Sequence, residues 1–301
     1  MKSQQPDLSV ITVNYNGLHD TCEFIDSWVT IVISASYEII VIDNGSTENE
    51  AVILKEKYPF IHVIRSEKNL GFAGGNNLGI NIAKGKYLFF LNNDILIVKD
   101  AIQPLINRLT SSTKIAGVSP LIRNYPPPHT IQFAGYTRLS PITLRNKAIG
   151  SGKINKDHYP ARMTPYLHGA AMLVKKEVID KLGPMPEDYF LYYEELDWCT
   201  YMTMDGYELW YDPACEVWHK DSSSAGKGSP LQCYYLSRNR LLYAYRNIFD
   251  WKLHLAIFYQ AAMVCPKNIL IALSKGEKET ARAHWEGTKA FFKLRNKNIQ
   301  P

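Results

Sequence analysis

Residues 8–17 read LSVITVNYNG, residues 38–46 read EIIVIDNGS and residues 87–94 read YLFFLNND. In each stretch a short apolar run ends abruptly in asparagine, aspartate or glycine. Short apolar runs alternating with amphipathic stretches are typical of successive βα units around a largely parallel sheet. The sequence therefore predicts an α/β fold whose first buried strands are 8–13, 38–42, 62–65 and 87–91.

The pattern changes beyond the first hundred residues. From Ala116 to about Ile154 it is irregular and rich in Pro, Gly and Ser, which predicts loops and edge strands. Farther on, we predict strands over 172–174 and 207–211 and helices over 176–182 and 194–204. After Ser229 a helical pattern continues nearly to the end of the chain.

Composition places the chain among ordinary globular proteins. Of its 301 residues 46% are hydrophobic and 21% charged, with a formal net charge of +5. Much of this positive excess follows residue 265, at Lys267, Lys275, Lys278 and 293–297. That end could touch an anionic surface, but the modest excess argues against a nucleic-acid binder.

Cysteine usage and hydropathy bear on localisation. The five cysteines are widely separated and form no CxxC pair, which argues against a disulfide framework or a zinc ribbon and favours the cytoplasm. The polar stretch 1–8 indicates no secretory signal. The best candidate for a membrane span, 251–273, is interrupted by Lys252, His254, Pro266 and Lys267.

Open α/β sheets bind ligands at the carboxyl ends of their strands, so the polar residues there are candidate site residues. Asp43 could accept the imide N–H of uracil or thymine, or it could cap the next helix. Asn92, Asn93 and Asp94 provide oxygen ligands of the kind that Mg²⁺ or Mn²⁺ prefers beside a diphosphate, or they form an Asx-turn that ends the strand.

Three carboxylates follow an aromatic run at Glu194, Glu195 and Asp197. On a helix Glu194 and Asp197 share a face while Glu195 points elsewhere. Neighbouring like charges raise the pKa of a carboxyl, which suits a general base. The alternative is a solvated acidic helix start stabilised by the helix dipole.

Two weaker signals are a histidine and a glycine-rich stretch. His219 follows a predicted strand, and a single histidine is more often structural than a ligand. The stretch 71–77 reads GFAGGNN before a predicted helix, where the backbone could approach a phosphate.

The order of these motifs resembles family 2 glycosyltransferases of the GT-A fold, and most of all their rhamnosyltransferase-like branch. The resemblance covers residues 8 to 245 and runs through the motifs at 9–16, 41–46, 69–77, 90–94, 168–172 and 192–198 to His219. It implies an inverting transfer of a sugar from a nucleoside diphosphate to an acceptor hydroxyl, in a mixed, mainly parallel sheet flanked by helices.

The resemblance also implies roles for particular residues. Donor contacts would come from Asn14, Tyr15, Asn16, Asp43, Asn44, Gly45, Gly74, Asn76, Asn92 and Asn93. Asp94 and His219 would hold Mg²⁺ or Mn²⁺. The sugar and acceptor pocket would include His168, Gly169, Ala170 and Trp198. Glu195 would be the catalytic base, with Glu194 and Asp197 as its alternatives.

Three positions depart from the family pattern. Asn92 stands where the metal-binding triplet usually begins with Asp. Glu194-Glu195 replaces the commoner Glu-Asp of the base motif, so the base would reach one methylene further. Gly75 stands where many members have an Arg before the Asn of the glycine-rich loop.

Domains and partners are predicted in the same way. We expect a transferase domain over 1–245, with a nucleotide-binding half (1–100) and an acceptor half (101–245), then a helical extension over 246–301. The donor would be dTDP-rhamnose or a UDP-sugar, and the acceptor a glycan or lipid-linked glycan of cell-surface polysaccharide synthesis. The extension could pack as core, contact a membrane surface or form a homodimer.

Two other functions remain open at this point. A sugar-nucleotide nucleotidyltransferase also binds pyrimidine nucleotides at strand ends, but its first loop is usually glycine-rich with Arg and Lys, whereas residues 14–18 read NYNGL. A non-catalytic sugar- or nucleotide-binding protein could keep the fold without the activity.

Overall fold

The computed structural model describes residues 5–31, 33–98, 102–221, 226 and 228–295. One sheet contains the strands β1 (Leu8–Asn14), β2 (Tyr37–Asp43), β3 (His62–Arg65), β4 (Tyr87–Leu91), β5 (Ile95–Ile97), β6 (Ile115–Asn124), β7 (Ile131–Phe133), β8 (Arg162–Met163), β9 (Ala171–Lys175) and β10 (Glu208–His219). The helices are α1 (Leu18–Val29), α2 (Glu50–Lys57), α3 (Gly71–Ile82), α4 (Ile102–Thr110), α5 (Lys176–Leu182), α6 (Glu194–Met204), α7 (Pro230–Asn247), α8 (Asp250–Phe258), α9 (Cys265–Ser274) and α10 (Lys278–Arg295).

The main path through the sheet runs β3-β2-β1-β4-β9-β6-β10-β5. Strands β1 to β4 pair in parallel, whereas β9 runs antiparallel between β4 and β6. The strand order reverses at β1, which lies between β2 and β4. A crevice forms at such a switch point, beyond the carboxyl ends of the strands. The mixed, mainly parallel sheet predicted from the sequence is confirmed.

The prediction for residues 116–154 was wrong in part. Ile115–Asn124 is not loop or edge structure but the long strand β6, nine of whose ten residues are buried. Pro120 is tolerated because β6 pairs with β10 at an irregularity: Asp212 is paired with Pro120 and Glu216 with Leu121, so 213–215 are skipped. Prolines in sheets are confined to such bulges and to edges, because they cannot donate to the ladder.

The glycine-rich stretch lies inside α3 and packs against the sheet. A Cβ at Gly75 would lie 2.9 Å from Val13 Cγ1, and one at Gly79 would lie 2.5 Å from Ile11 Cγ2. These glycines let α3 approach β1 closely. Gly74 and Asn76, predicted as donor contacts, are both buried, and Asn76 Nδ2 donates to Phe72 O at 2.9 Å; the approach of this backbone to a phosphate stays a prediction.

The carboxyl-terminal part is helical, as predicted. Helices α8 and α9 join through a π-helical segment, Tyr259–Val264, into one 25-residue helix, Asp250–Ser274. By length and composition alone this helix could cross a membrane, although 28% of its most apolar window is buried inside the protein. The boundary near residue 245 stays a prediction, and residues 1–4 and 296–301 of the predicted terminal segments lie outside the described part.

Candidate active site

Two predicted metal ligands meet at the carboxyl ends of β4 and β10. Asp94 Oδ1 lies 3.1 Å from His219 Nε2, and both side chains are nearly buried. Asn92 Nδ2 lies 3.4 Å from the same nitrogen. On the other side of the imidazole ring, Nδ1 lies 2.8 Å from Gln132 Oε1. Residues separated by more than a hundred positions are thus brought together at the crevice.

This pair fits a divalent cation. Mg²⁺ takes oxygen and nitrogen ligands at about 2.0–2.1 Å in an octahedron, so adjacent ligand atoms lie about 3 Å apart. Asp94 Oδ1 and His219 Nε2 have that separation. A metal-binding histidine usually donates its other ring N–H to an acceptor, which orients the ring. Gln132 Oε1 is placed to accept this hydrogen bond from His219.

Glu195 lies in the first turn of α6, beside Gly169, and the ring of the adjacent His168 lies 6.4 Å from that of His219. Its side chain is half-buried against Gly169, where a Cβ would lie 3.6 Å from Glu195 Cγ. Burial raises the pKa of Glu195 above that of an ordinary glutamate, although backbone N–H groups at the start of α6 oppose the shift. A carboxylate in this setting is a stronger proton acceptor than one in water.

The other two carboxylates of the motif share one face of α6, as the helical spacing predicted, and that face is turned into the protein. Glu194 is 3% exposed and its Oε2 has no hydrogen-bond partner among the described residues. Burial, and next the charge of Glu195, raise the pKa of Glu194 well above the usual value of a glutamate. Asp197 is fully buried 3.2 Å from Arg246 Nε. Both carboxylates are thus turned away from Gly169, which favours Glu195 over Glu194 and Asp197 as the base.

A strained loop leads into Glu195. Phe190, Tyr192 and Tyr193 have φ values of 63°, 69° and 80°, a region that costs L-residues about 1–2 kcal/mol each. Asn239, fully buried on α7, places Nδ2 2.7–2.9 Å from the carbonyl oxygens of Tyr189, Leu191 and Tyr192. The amide of Asn239 thereby fixes the loop that orients the start of α6.

Two of the four predicted pocket residues, His168 and Gly169, face the crevice. The His168 ring stacks on Tyr136 at 5.9 Å and meets His219 edge-on at 6.4 Å. Burial, and then His219, lower the pKa of His168 to about 3, so its Nδ1 accepts a hydrogen bond from Ala170 N. Ala170 itself is buried. Trp198 belongs to the core, 1% exposed and 5.7 Å from Phe90, so its assignment to the pocket was wrong.

At the predicted nucleoside end, most of the named side chains are occupied internally. Asp43 is fully buried: its carboxylate accepts from Arg65 Nη1 at 2.6 Å and from the backbone N–H groups of Ser46 and Ala51. Ala51 lies in the first turn of α2, so the helix-capping interpretation describes Asp43, and direct contact with a base does not fit this arrangement.

The neighbouring asparagines are structural for the same reason. The side chain of Asn14 accepts a hydrogen bond from Thr21 and donates one to Glu50. The side chain of Asn44 donates to Asn69 and to Gly71 O. Both amides are therefore already engaged within the protein rather than turned toward a nucleotide sugar. Gly45 has φ +76° and packs on the backbone of Lys68. Asn93 donates to Thr21. Of the predicted donor contacts at this end, Tyr15 and Asn16 are exposed, and Arg65 beside them is exposed too.

The family follows from a comparison with known proteins. A family model described as glycosyl transferase family 2 matches residues 9–183, more than half of the chain. The chain belongs to this family. It is therefore a glycosyltransferase, as the motif order predicted, and the nucleotidyltransferase alternative is set aside.

Curated relatives of this glycosyltransferase include two sugar transferases that match most of its length. It is 27% identical over 259 residues to the low-salt glycan biosynthesis hexosyltransferase Agl10 of Haloferax volcanii, covering 81% of this chain and 77% of that one. It is 23% identical over 242 residues to the N-acetylglucosaminyl-diphospho-decaprenol L-rhamnosyltransferase of Mycobacterium tuberculosis, covering 73% and 78%.

Solved structures confirm the GT-A fold of the glycosyltransferase. GalNAc-T7, crystallised with UDP, GalNAc and Mn²⁺, matches with a TM-score of 0.64 and 18% identity over 99% of this chain and 58% of its own. The mannosyltransferase PcManGT of Pyrobaculum calidifontis, in complex with GDP-Man and Mn²⁺, matches with a TM-score of 0.58 and 16% identity, covering 98% and 89%.

Several residues at the site of the glycosyltransferase were not predicted from the sequence. Gln132 and Tyr136 lie in the segment that was interpreted as loop, and Arg65 and Asn239 lie in elements where no motif drew attention to them. An Arg at the end of β3, beside the parallel strand that ends in Asp43, was a usable signal, because parallel neighbours end at the same edge of the sheet.

Proposed function

We propose that the protein is an inverting, divalent-metal-dependent transferase that moves a hexose, with rhamnose the first candidate, from a nucleoside diphosphate to an acceptor hydroxyl. One observation carries the proposal: Glu195 packs against Gly169, and the ring of the adjacent His168 lies 6.4 Å from the ring of His219, which contacts Asp94. In open α/β sheets, ligands bind at a switch point such as the one beside β1. A base and a cation site on one crevice are what this reaction requires.

In the proposed reaction Glu195 removes the proton from the acceptor hydroxyl. The acceptor oxygen then forms a bond to the anomeric carbon as the bond from that carbon to the donor phosphate oxygen breaks, and the nucleoside diphosphate leaves with the electron pair. Direct displacement of this kind inverts the anomeric centre. A cation held by Asp94 and His219 would neutralise the charge of the leaving diphosphate.

The relatives support the finer assignment. One curated relative is named a hexosyltransferase and another a rhamnosyltransferase acting on N-acetylglucosaminyl-diphospho-decaprenol. We therefore propose dTDP-rhamnose as donor, UDP-sugars as second choice, and a lipid-linked glycan of cell-surface polysaccharide synthesis as acceptor. We also propose that the protein acts at the cytoplasmic face of the membrane, where a nucleotide sugar and a lipid-linked acceptor can meet.

A donor panel tests this function. We expect dTDP-rhamnose to be turned over at least about tenfold faster than UDP-glucose, UDP-N-acetylglucosamine or GDP-mannose, because a site built around one sugar rejects others by that order or more. Release of nucleoside diphosphate would be measured with Mn²⁺ or Mg²⁺, and with chelator as control. Nucleotide binding without turnover of any donor would leave a non-catalytic binder instead.

Asn239 is proposed as a positioning residue for Glu195. Asn239→Ala leaves the carbonyls of the strained loop without their partner, so the start of α6 shifts and kcat is expected to fall about 10- to 100-fold. The KM for the donor should stay within about twofold, since the donor side of the crevice is untouched. Steady-state kinetics well below the unfolding temperature would measure both.

Ser237→Ala is the matched control. Ser237 lies on the same helix, and its Oγ is 2.9 Å from His284 Nδ1, away from the loop. This variant should lose stability without losing kcat. Equal loss of kcat in both variants, or a rise in KM alone for Asn239→Ala, would contradict a positioning role.

A further inference from the structure

The carboxyl-terminal helix Asp250–Ser274 carries its large apolar side chains on the outside. Trp251, Leu255, Phe258, Met263, Leu270 and Leu273 are between 38% and 67% exposed. Their spacing of three to seven residues follows the helical period and forms one stripe, which we call the outer stripe. The side facing the protein carries smaller or polar residues instead: Ala256, Gln260, Cys265 and Ala272 are buried.

This pattern is the reverse of that of a helix on the surface of a soluble protein, which turns its apolar side to the core. Trp285 on α10 adds a further ring that is 56% exposed. A row of large apolar side chains exposed along one side of a helix marks a surface that binds a protein or a membrane. Three of the exposed side chains are large aromatic rings, Trp251, Phe258 and Trp285, which favour the boundary between water and lipid headgroups.

The charge around the outer stripe selects the partner. Residues 249–295 contain six lysines and two arginines against four acidic residues, and Asp250 is the only acidic residue between 250 and 274. Lys252, Lys267 and Lys275 are exposed beside the stripe. A second copy would bring the same positive charges to face their equivalents, which costs free energy, whereas an anionic lipid surface attracts them.

The middle of the helix is fixed to the rest of the protein. Gln260 Nε2 donates to Thr143 O at 2.8 Å, and Cys265 Sγ lies 3.6 Å from His284 O on α10. Gln260, near the midpoint, is 6% exposed. A helix that crossed the bilayer would have to leave these contacts, so the attached side must stay out of the lipid while the outer stripe enters it.

We propose that the outer stripe, together with Trp285, is a membrane-binding face that lies in the plane of the interface of an anionic bilayer. The apolar side chains enter the headgroup–acyl boundary, and the surrounding lysines contact lipid phosphates. This proposal is independent of the sugar and the acceptor, because it needs neither to be bound.

Vesicle flotation of the full chain tests the proposal. The protein is expected to float with vesicles of phosphatidylcholine mixed with phosphatidylglycerol, and several-fold less with phosphatidylcholine alone or in high salt. The variant Trp251→Ser/Phe258→Ser/Leu270→Ser should lower the partition coefficient at least about tenfold, because three exposed apolar anchors are lost. The matched control is Val52→Ser/Ile53→Ser/Phe60→Ser, whose side chains are 45–55% exposed around α2.

Each outcome of the flotation experiment either supports or overturns the proposed membrane-binding face. Flotation of wild type and control but not of the stripe variant, all with the same circular dichroism spectrum, supports the proposal. No flotation of wild type, or equal flotation of both variants, overturns it. If the wild type does not float and is a dimer that the stripe variant converts to a monomer, the outer stripe is a dimer interface. If the bound protein resists alkaline extraction, the helix is a membrane span. Either result overturns the proposal.

Discussion

Glu195→Gln is expected to lower the rate of sugar transfer by about 10²–10⁴ while leaving donor affinity nearly unchanged. Glutamine keeps the shape of the side chain against Gly169 but cannot accept the proton of the acceptor hydroxyl. Since the substitution does not touch Asp94 or His219, the donor side of the crevice stays intact. Turnover under saturating donor and acceptor, with donor binding measured separately by calorimetry, would separate the two effects.

Glu194→Gln is the matched control for this prediction. The side chain of Glu194 is buried, and burial raises its pKa well above the usual value, which favours the uncharged carboxyl; glutamine is an uncharged replacement of similar shape. We expect its turnover to stay within a few-fold of wild type. Full turnover in Glu195→Gln would remove Glu195 as base, and a loss in Glu194→Gln alone would transfer the role to its neighbour.

The amino-terminal strands could be predicted because each is a buried parallel strand ended by polar residues. Their observed ends agree within one residue with the predicted ones, and β3 and β4 agree fully. The same argument placed Asp94 at the carboxyl ends of the strands, whereas Glu195 was assigned from the resemblance to the family. Sequence pattern is informative where burial alone decides the conformation.

The errors have a different physical source, which is pairing between distant segments. Ser119 and Pro120 weaken the strand pattern of β6, yet Ser119 Oγ donates to Ala171 O and Pro120 sits beside the bulge of β10. Asn14, Asn44 and Asp43 looked like ligand contacts because they are polar at strand ends. Their partners, Glu50, Asn69 and Arg65, come from other elements, and of these only Arg65, at the end of the neighbouring parallel strand, left a usable signal in the sequence.

The strained loop before Glu195 illustrates the same limit. Two tyrosines and a phenylalanine at positive φ contradict local preference, and such a conformation persists only where the surroundings hold it. Here the holding group is Asn239, some fifty residues later on α7. The identity of the base followed from the motif, whereas the group that orients it required the tertiary structure.

Asp94→Asn is expected to weaken metal activation of transfer at least about 100-fold, because it removes the anionic ligand from the proposed cation site while keeping its shape. The measurement is the Mn²⁺ concentration needed for half-maximal turnover, together with Mn²⁺ binding in the presence of nucleoside diphosphate. Gln132→Ala should give a smaller loss, about 10-fold, since it removes only the group that orients His219.

Asp20→Ala provides the control for the metal prediction. Among the described residues, His19, Asp20 and Glu23 form another group that could hold a cation. However, Lys220 Nζ lies 2.7 Å from Asp20 Oδ1 and also contacts Glu23, so a cation charge is already present there. Metal activation should therefore be normal in Asp20→Ala. Loss of activation in that variant with normal activation in Asp94→Asn would move the metal to α1 and leave the Asp94–His219 pair a structural contact.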